Sequence, residues 1–243
     1  MSTIRGARER ARIEVTAAIK DEARKQLAAE GAAKLSLRAV ARELGMVSSA
    51  LYRYFPSRDD LLTALIVDAY DAVGEVAEAA GAKGDGRPGP DAARWTAVAC
   101  AVREWALAHP HEYALIYGSP VPGYTAPQDT VGPASRVGLV LIGVVRDAHR
   151  AEGLAVPSLD PGLRPEAARL AADLAPDLPP AVVAALVAAW AQLFGLISFE
   201  LFGQFNRVVE AREQLFRHAA HEIGRSVGLL EGRAPTGADG PGA

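Results

Sequence analysis

The eight-residue segment SSALYRYF, Ser48–Phe55, places hydrogen-bonding side chains among a few apolar ones. Two serines, two tyrosines and one arginine accompany Ala50, Leu51 and Phe55. Hydroxyl, phenol and guanidinium groups bond to the base edges and phosphates of nucleic acids. Since neither a buried helix nor an idle surface requires this mixture, the segment predicts a polar binding surface.

The charge distribution supports the same interpretation, although the whole chain is mildly acidic. The net charge of the 243 residues is −3. Residues 1–58 contain 12 Lys and Arg against 6 Asp and Glu, a balance of +6, which leaves −9 for the remainder. A basic head on an acidic body predicts one polyanion-binding module and a second module with another task.

The elements that must position these groups are typical of an all-α protein. Sustained period-2 alternation is missing, while Ala, Leu, Arg and Glu dominate the long segments. We expect an N-terminal helical domain over 1–56, a second helical domain over 57–228, and a disordered tail over 229–243. Periodicity, caps and breaks predict helices at about 8–30, 37–44, 48–55, 57–80, 92–108, 111–117, 134–151, 165–174, 180–204 and 207–227.

Two short predicted helices flank Gly45. Leu37, Val40 and Leu44 recur at i, i+3 and i+7 before the glycine, and Ser36 is placed to cap that helix. The helix after the glycine must end by residue 55, because the following proline disfavours helical geometry in the residue before it. Two short helices joined by a tight turn predict a helix-turn-helix.

The second helix of this motif then has an inner and an outer face. If Val47, Leu51 and Phe55 pack against the preceding helices, the polar residues between them project outward. Those outward residues are Ser48, Ser49, Tyr52 and Arg53, and the starts of neighbouring helices add Ser36, Arg38 and Arg58 on the same side. The alternative is that these side chains are ordinary surface residues of a helical bundle.

The segment LSLRAVARELGMVSSALYRYFPSRDDLLTALI resembles the helix-turn-helix of TetR/AcrR-type transcriptional regulators. Seven residues match the order and spacing of the family pattern: Ser36, Ala41, Gly45, Leu51, Tyr52, Phe55 and Leu61. The resemblance covers about the first 65 residues. Two positions depart from it, since Val47 replaces a serine and Arg58 replaces a lysine.

The resemblance implies roles for individual residues. Tyr52 and Tyr54 would contact phosphates, Arg53 would contact a phosphate or a base, and Ser48 and Ser49 would contact base edges. The complete predicted DNA-binding set is Ser36, Arg38, Ser48, Ser49, Tyr52, Arg53, Tyr54 and Arg58.

A second resemblance concerns EWALAHPHEYALIYGSPVPGY, residues 104–124. It looks like the C-terminal domain of a TetR subgroup named for a Trp, a His and a Gly, which here would be Trp105, His109 and Gly118. Aromatic side chains with polar edges often line small-molecule pockets. The predicted ligand-binding residues are Trp95, Trp105, His109, Tyr113, Tyr117, Trp190 and Phe194, with plain core packing as the alternative for each.

Other chemistries find little support in the sequence. Cys100 is the single cysteine, so an internal disulfide or cysteine-based zinc site is excluded, and a cytoplasmic location is expected. His218, His221 and Glu222 share a helix face but lack a fourth ligand, so we expect no metal site. Phosphate loops, nucleophile elbows and paired carboxylates are missing, so we expect no enzyme activity and no cofactor.

The apolar stretch 181–199 passes the length threshold for a membrane span. Its many alanines and the lack of flanking Lys or Arg favour a buried or interfacial helix, so we expect no membrane contact.

The predicted function is therefore a ligand-responsive DNA-binding regulator, with repression as the expected sense. It would bind a palindromic operator as a homodimer through helices near 180–204 and 207–227, and respond to a small-molecule effector. The alternative is a helical small-molecule-binding or metal-dependent protein without a DNA function.

Overall fold

The computed structural model describes residues 2–82 and 91–230, and this part of the chain is all-α, as predicted. Its ten α-helices are α1 Ser2–Glu30, α2 Leu37–Glu43, α3 Ser48–Leu51, α4 Arg58–Gly81, α5 Asp91–Ala108, α6 Pro110–Tyr117, α7 Val131–Arg150, α8 Arg164–Leu174, α9 Pro180–Leu201 and α10 Arg212–Val227. Within the described ranges, β structure is limited to one bridge between Leu154 and Leu229.

Contacts between Cα atoms divide the chain into two compact units. The N-terminal unit contains residues 1–74 and 106–135, and the C-terminal unit contains residues 75–105 and 136–243. Helices α4, α5 and α7 each contribute residues to both units.

The core of the N-terminal unit takes one apolar face from each of its first four helices. On α1, Ile19, Ala23 and Leu27 recur every four residues and are buried on one face. Helices α2 to α4 and the α3–α4 turn bury Leu37, Val40, Ala41, Leu51, Phe55, Leu61, Leu62, Leu65 and Ile66 against it. Lys20 and Arg24 of α1 both pair with Asp68 of α4, at 2.8 and 2.5 Å. The ion pairs join α1 to α4, and the buried residues of α2 and α3 pack into the core that these two helices share.

The predicted cap and turn of the helix-turn-helix, at Ser36 and Gly45, are confirmed. Ser36 Oγ accepts a hydrogen bond from the Ala39 amide at 3.4 Å, and Gly45 has a φ of 64°, where a side chain would be strained. At the start of α4, Ser57 Oγ accepts from the Asp60 amide at 3.1 Å.

Helix α3 is shorter than predicted. Regular α-helix ends at Leu51, and residues 52–54 form turns in which the Tyr54 and Phe55 amides both donate to the Leu51 carbonyl. Leu51 and Phe55 are buried as expected, but the prediction that Val47 faces the core is wrong, because its side chain is 70% exposed. Val47 is the N-cap residue with extended backbone, so it does not follow the helical face.

The core of the C-terminal unit includes parts of α5 and α7 together with α9 and α10. Helix α9 packs against α8 and α10. Across the unit, the Trp95 indole on α5 donates to the Ala220 carbonyl on α10 at 3.0 Å. Arg103 on α5 and Glu200 on α9 form a buried pair with two hydrogen bonds of 2.7 and 2.6 Å.

The boundary between the last two helices differs from the predicted ranges 180–204 and 207–227. Helix α9 ends at Leu201 and α10 begins at Arg212. Between them Gly203 and Arg207 have positive φ values of 86° and 61°, which stop helical continuation. The sequence signal was Gly203 followed by Asn206, two residues that favour turns.

The predicted tail over 229–243 begins too early. Leu229 is buried and bridged to Leu154, and the Leu230 amide donates to the Gly153 carbonyl at 3.0 Å. The remaining positions of the predicted tail, 231–243, lie outside the described residues.

Helix α9 is long and apolar enough to cross a membrane, with a mean hydropathy of 2.1. However, 39% of its most apolar window is buried inside the protein, and a core helix meets the same criteria.

Candidate nucleic-acid interface

Helix α3 presents a cluster of polar side chains to solvent while a single residue anchors it. Leu51 is fully buried, whereas Ser48, Ser49 and Arg53 are exposed and Tyr52 is 42% exposed. These four exposed hydrogen-bonding side chains, two on α3 and two in the turns that follow it, define the surface that we call the α3 polar face. Their arrangement suits contact with a charged, hydrogen-bonding partner such as a duplex.

The start of α2 holds two of the predicted DNA-binding residues, and their surroundings differ. Arg38 lies in the first turn of α2 and is exposed. Ser36 is half-buried, and its hydroxyl is already engaged as the α2 cap. Ser36 therefore orients the helix, while Arg38 is free to reach a partner.

Tyr54 connects the end of the motif to α1. It is half-buried, and the Arg12 guanidinium lies 5.8 Å from the centre of its ring. Arg8, Arg12, Arg53 and Tyr54 line an open cleft of about 680 Å³. The contribution of α1 to this basic cleft was missed by sequence reasoning, although Arg8 and Arg12 stand at the i, i+4 spacing that places two residues on one helix face.

Arg58 does not join the α3 polar face. Its Nη2 donates to the carbonyls of Ala32 and Ala33 at 2.8 and 3.3 Å, and its Nε donates to the carbonyl of Leu35 at 3.2 Å. These carbonyls belong to the short turn between α1 and α2, where the Ala32 carbonyl also accepts from the Leu35 amide at 3.3 Å, and the guanidinium fork binds all three carbonyls together. The Arg58 guanidinium therefore holds this turn, and its contact with DNA stays a prediction.

The predicted ligand-binding aromatics fall into separate groups. Tyr113, Tyr117 and Tyr70 form one group in the N-terminal unit, with ring centres 5.1 Å apart for the first two and 5.9 Å for Tyr70 and Tyr117. Burial raises the pKa of the Tyr117 and Tyr70 phenols, which keeps them neutral. His109 is the exposed N-cap residue of α6 in the same unit.

The other four aromatics belong to the C-terminal unit. Trp95, Trp105 and Phe194 are buried, whereas Trp190 is 45% exposed and its ring centre is 5.8 Å from that of Phe194. The cavity lined by Phe194 has a volume of only about 10 Å³, room for roughly one water molecule. The structure therefore brings Trp190 and Phe194 together but does not gather the seven predicted residues around one cavity.

The Trp95 side chain packs closely against α10. The substitution Gly224→Ala tests how much this contact contributes to stability. A Cβ at Gly224 would lie 2.8 Å from Trp95 Cδ1. Such overpacking costs about 1 to 3 kcal/mol, whereas alanine gains at most about 1 kcal/mol of helix propensity. We expect a lower midpoint of urea unfolding for Gly224→Ala.

Gly143 provides the matched control for this substitution. It lies on α7 in the same unit, and a Cβ there would meet no atom within 4 Å. Gly143→Ala should leave the unfolding midpoint unchanged or raise it. Equal midpoints for the two variants would show that Trp95 can move aside.

The metal candidates of the sequence are not assembled into a site. His221 Nδ1 lies 3.3 Å from Glu222 Oε1, which also contacts Arg225. Over the described residues, no group of three or more His, Cys, Asp or Glu side chains could hold a metal ion. Cys100 is half-buried, and burial raises its thiol pKa.

Two family models match the chain. Residues 19–65 match the family described as bacterial regulatory proteins, tetR family, and residues 95–223 match a tetracyclin repressor-like C-terminal domain. The first match contains the helix-turn-helix, and the second spans most of helices α5 to α10.

Curated proteins and solved structures agree with these matches. The chain is 42% identical over 212 residues to the HTH-type transcriptional regulators Rv1816 of Mycobacterium tuberculosis and Mb1846 of Mycobacterium bovis, covering 82% of this chain and 86% of each relative. The crystal structure of regulatory protein SCO4313 aligns with a TM-score of 0.72 and 34% identity, covering 88% of this chain and 97% of that one. A protein from Rhodococcus sp. RHA1 shares the fold, with a TM-score of 0.67 and 22% identity over 89% of this chain and 95% of its own.

Proposed function

The chain belongs to the TetR family of bacterial transcriptional regulators, and from this premise we propose that it represses transcription as a homodimer bound to a palindromic operator. A small-molecule effector would release it. It is a DNA-binding regulator and not an enzyme. The cytoplasm is the compartment in which we expect it to act.

The α3 polar face carries the DNA-binding part of the proposal. Leu51 fixes the helix on the core while Ser48, Ser49, Tyr52 and Arg53 remain exposed. In helix-turn-helix proteins the recognition helix enters the major groove, which is wide enough for a helix and presents a distinct pattern for each base pair. We propose that serines and Arg53 read base edges, and that Tyr52 and Arg38 contact phosphates.

Helix α9 supports the proposed dimer. Its exposed side includes Val187, Ala191, Gly195 and Phe199, and the exposed C-cap residue Phe202 follows them, all at spacings of three or four residues. An apolar stripe with small residues allows close helix packing. We propose that α9 and α10 pair with their copies in a second chain, so that two α3 helices reach half-sites one helical turn, about 34 Å, apart.

The proposed effector site lies beside Phe194. The cavity there is lined by residues of α5, α7 and α9, and its present volume of about 10 Å³ excludes any ligand. Binding would therefore require these helices to separate. Since α5 and α7 contribute residues to both units, we propose that this separation favours a state with weaker operator affinity.

Selection of binding sites from a random double-stranded DNA library would test the proposal. We expect enrichment of a palindrome whose half-site centres are about one helical turn apart, and two chains bound per site by sedimentation. Affinity for the selected site should fall steeply with salt, because phosphate contacts release counterions. A library without enrichment, or binding by a single chain to one half-site, would contradict the proposal.

A further inference from the structure

Val47 combines a position at the head of α3 with an unusual exposure. Its side chain is 70% exposed, more than any other large hydrophobic residue described in the N-terminal unit. The residues that follow it, Ser48 and Ser49, are also exposed. The isopropyl group of Val47 is therefore exposed to solvent next to the first residues of the α3 polar face.

The fold does not need a valine at this position. Val47 is the N-cap residue of α3, and its side chain makes no capping hydrogen bond. Serine or threonine is preferred at an N-cap because the hydroxyl accepts a bond from the first helical turn, which valine cannot do. Met46 is partly buried against the core cluster, whereas Val47 does not belong to it. Serine at this position would add a capping hydrogen bond and expose less apolar surface, so the needs of folding do not account for the valine.

We propose that Val47 is a specificity-determining residue that reads thymine in the operator through the 5-methyl group. The inference rests on the proposed function. The first residues of a recognition helix reach base edges in the major groove. Thymine presents a 5-methyl group there beside its O4 acceptor, whereas the other bases present donors or acceptors without such a methyl group. Because an isopropyl group can neither donate nor accept, it would leave such groups unpaired and so disfavour the other bases.

The test compares thymine with deoxyuridine in the operator selected by the full-length protein. Deoxyuridine lacks only the 5-methyl group, so the hydrogen-bonding pattern of the base pair is kept. Each thymine is replaced in turn, in both half-sites, and Kd is measured by fluorescence anisotropy. For wild type we expect one symmetric thymine pair whose replacement weakens binding about fourfold per half-site, or about 16-fold in total. This factor corresponds to the free energy of removing about one methyl-sized group from water at each half-site.

The variant Val47→Ser should bind the thymine and deoxyuridine operators equally at that pair, while keeping the wild-type response at every other thymine. It should also raise the thermal midpoint by about 2 to 4 °C, because serine caps α3. The matched control is Val156→Ser, since Val156 is an exposed valine in the loop after α7. This control should keep the full thymine preference.

Two results would overturn the role of Val47. One is a wild-type protein whose Kd is unaffected by any thymine replacement, and the other is a Val47→Ser variant that keeps the wild-type preference. In both cases the operator is still bound, so the proposed function would stand. Failure of the library to yield any operator would instead contradict the proposed function, and the role of Val47 with it.

Discussion

Replacement of Arg53 by alanine should weaken operator binding by about 1 to 3 kcal/mol per half-site, because its guanidinium is proposed to contact a base. Arg53 is exposed on the α3 polar face, and guanidinium groups pair with guanine through two hydrogen bonds. The loss should be largest for the selected operator and small for unrelated duplex DNA. Anisotropy titrations with both duplexes at one salt concentration would measure it.

Arg150→Ala is the matched control for the Arg53 experiment. Arg150 is an exposed arginine at the end of α7 in the C-terminal unit, and its guanidinium lies 3.8 Å from the Asp177 carboxylate. This variant removes the same charge and should leave operator affinity unchanged. Equal affinities for wild type and Arg53→Ala would remove Arg53 from the interface.

Replacement of Arg103 by alanine should lower the free energy of unfolding by about 3 to 5 kcal/mol. The Arg103 and Glu200 side chains are both buried, and Arg103 also lies 5.5 Å from the centre of the Phe216 ring. The substitution would leave the Glu200 carboxylate buried without a partner, which is costly. Urea unfolding followed by circular dichroism would measure the loss.

Removing both charges should cost much less than removing one. In Arg103→Met with Glu200→Leu, apolar groups of similar volume replace the pair, so no charge is left buried. The exposed pair of Arg169 and Glu166 provides a surface control, and Arg169→Ala should change stability little. A double variant as unstable as Arg103→Ala would show that the packing of the arginine, and not the unpaired carboxylate, accounts for the loss.

Local patterns were sufficient to predict the helix-turn-helix. Capping at Ser36, the turn at Gly45 and burial of Leu51 each depend on a few neighbouring residues, and all three are found in the structure. The prediction that Val47 faces the core failed because the helical spacing of Leu51 and Phe55 was extended to a residue that precedes the helix. The start of α10 was misplaced because apolar periodicity was given more weight than the turn residues Gly203 and Asn206.

Contacts between distant residues could not be predicted. The Arg103–Glu200 pair joins residues 97 positions apart, and Arg58 reaches back 26 positions to the Ala32 carbonyl. Neither pairing leaves a periodic signal, since each depends on how the helices pack. The predicted ligand-binding aromatics show the same difficulty, because sequence indicates that Trp95 and Tyr113 are apolar but not which cavity they would line.

Solvent accessibility of Tyr52 with and without operator is the most direct test of DNA recognition by the α3 polar face. Hydroxyl-radical labelling followed by mass spectrometry reports the oxidation rate of this 42% exposed tyrosine. Saturation with the selected operator should lower the oxidation rate of Tyr52 severalfold, while Trp190 on α9 reacts as before. An unchanged rate at Tyr52 in the fully bound protein would contradict recognition through this surface.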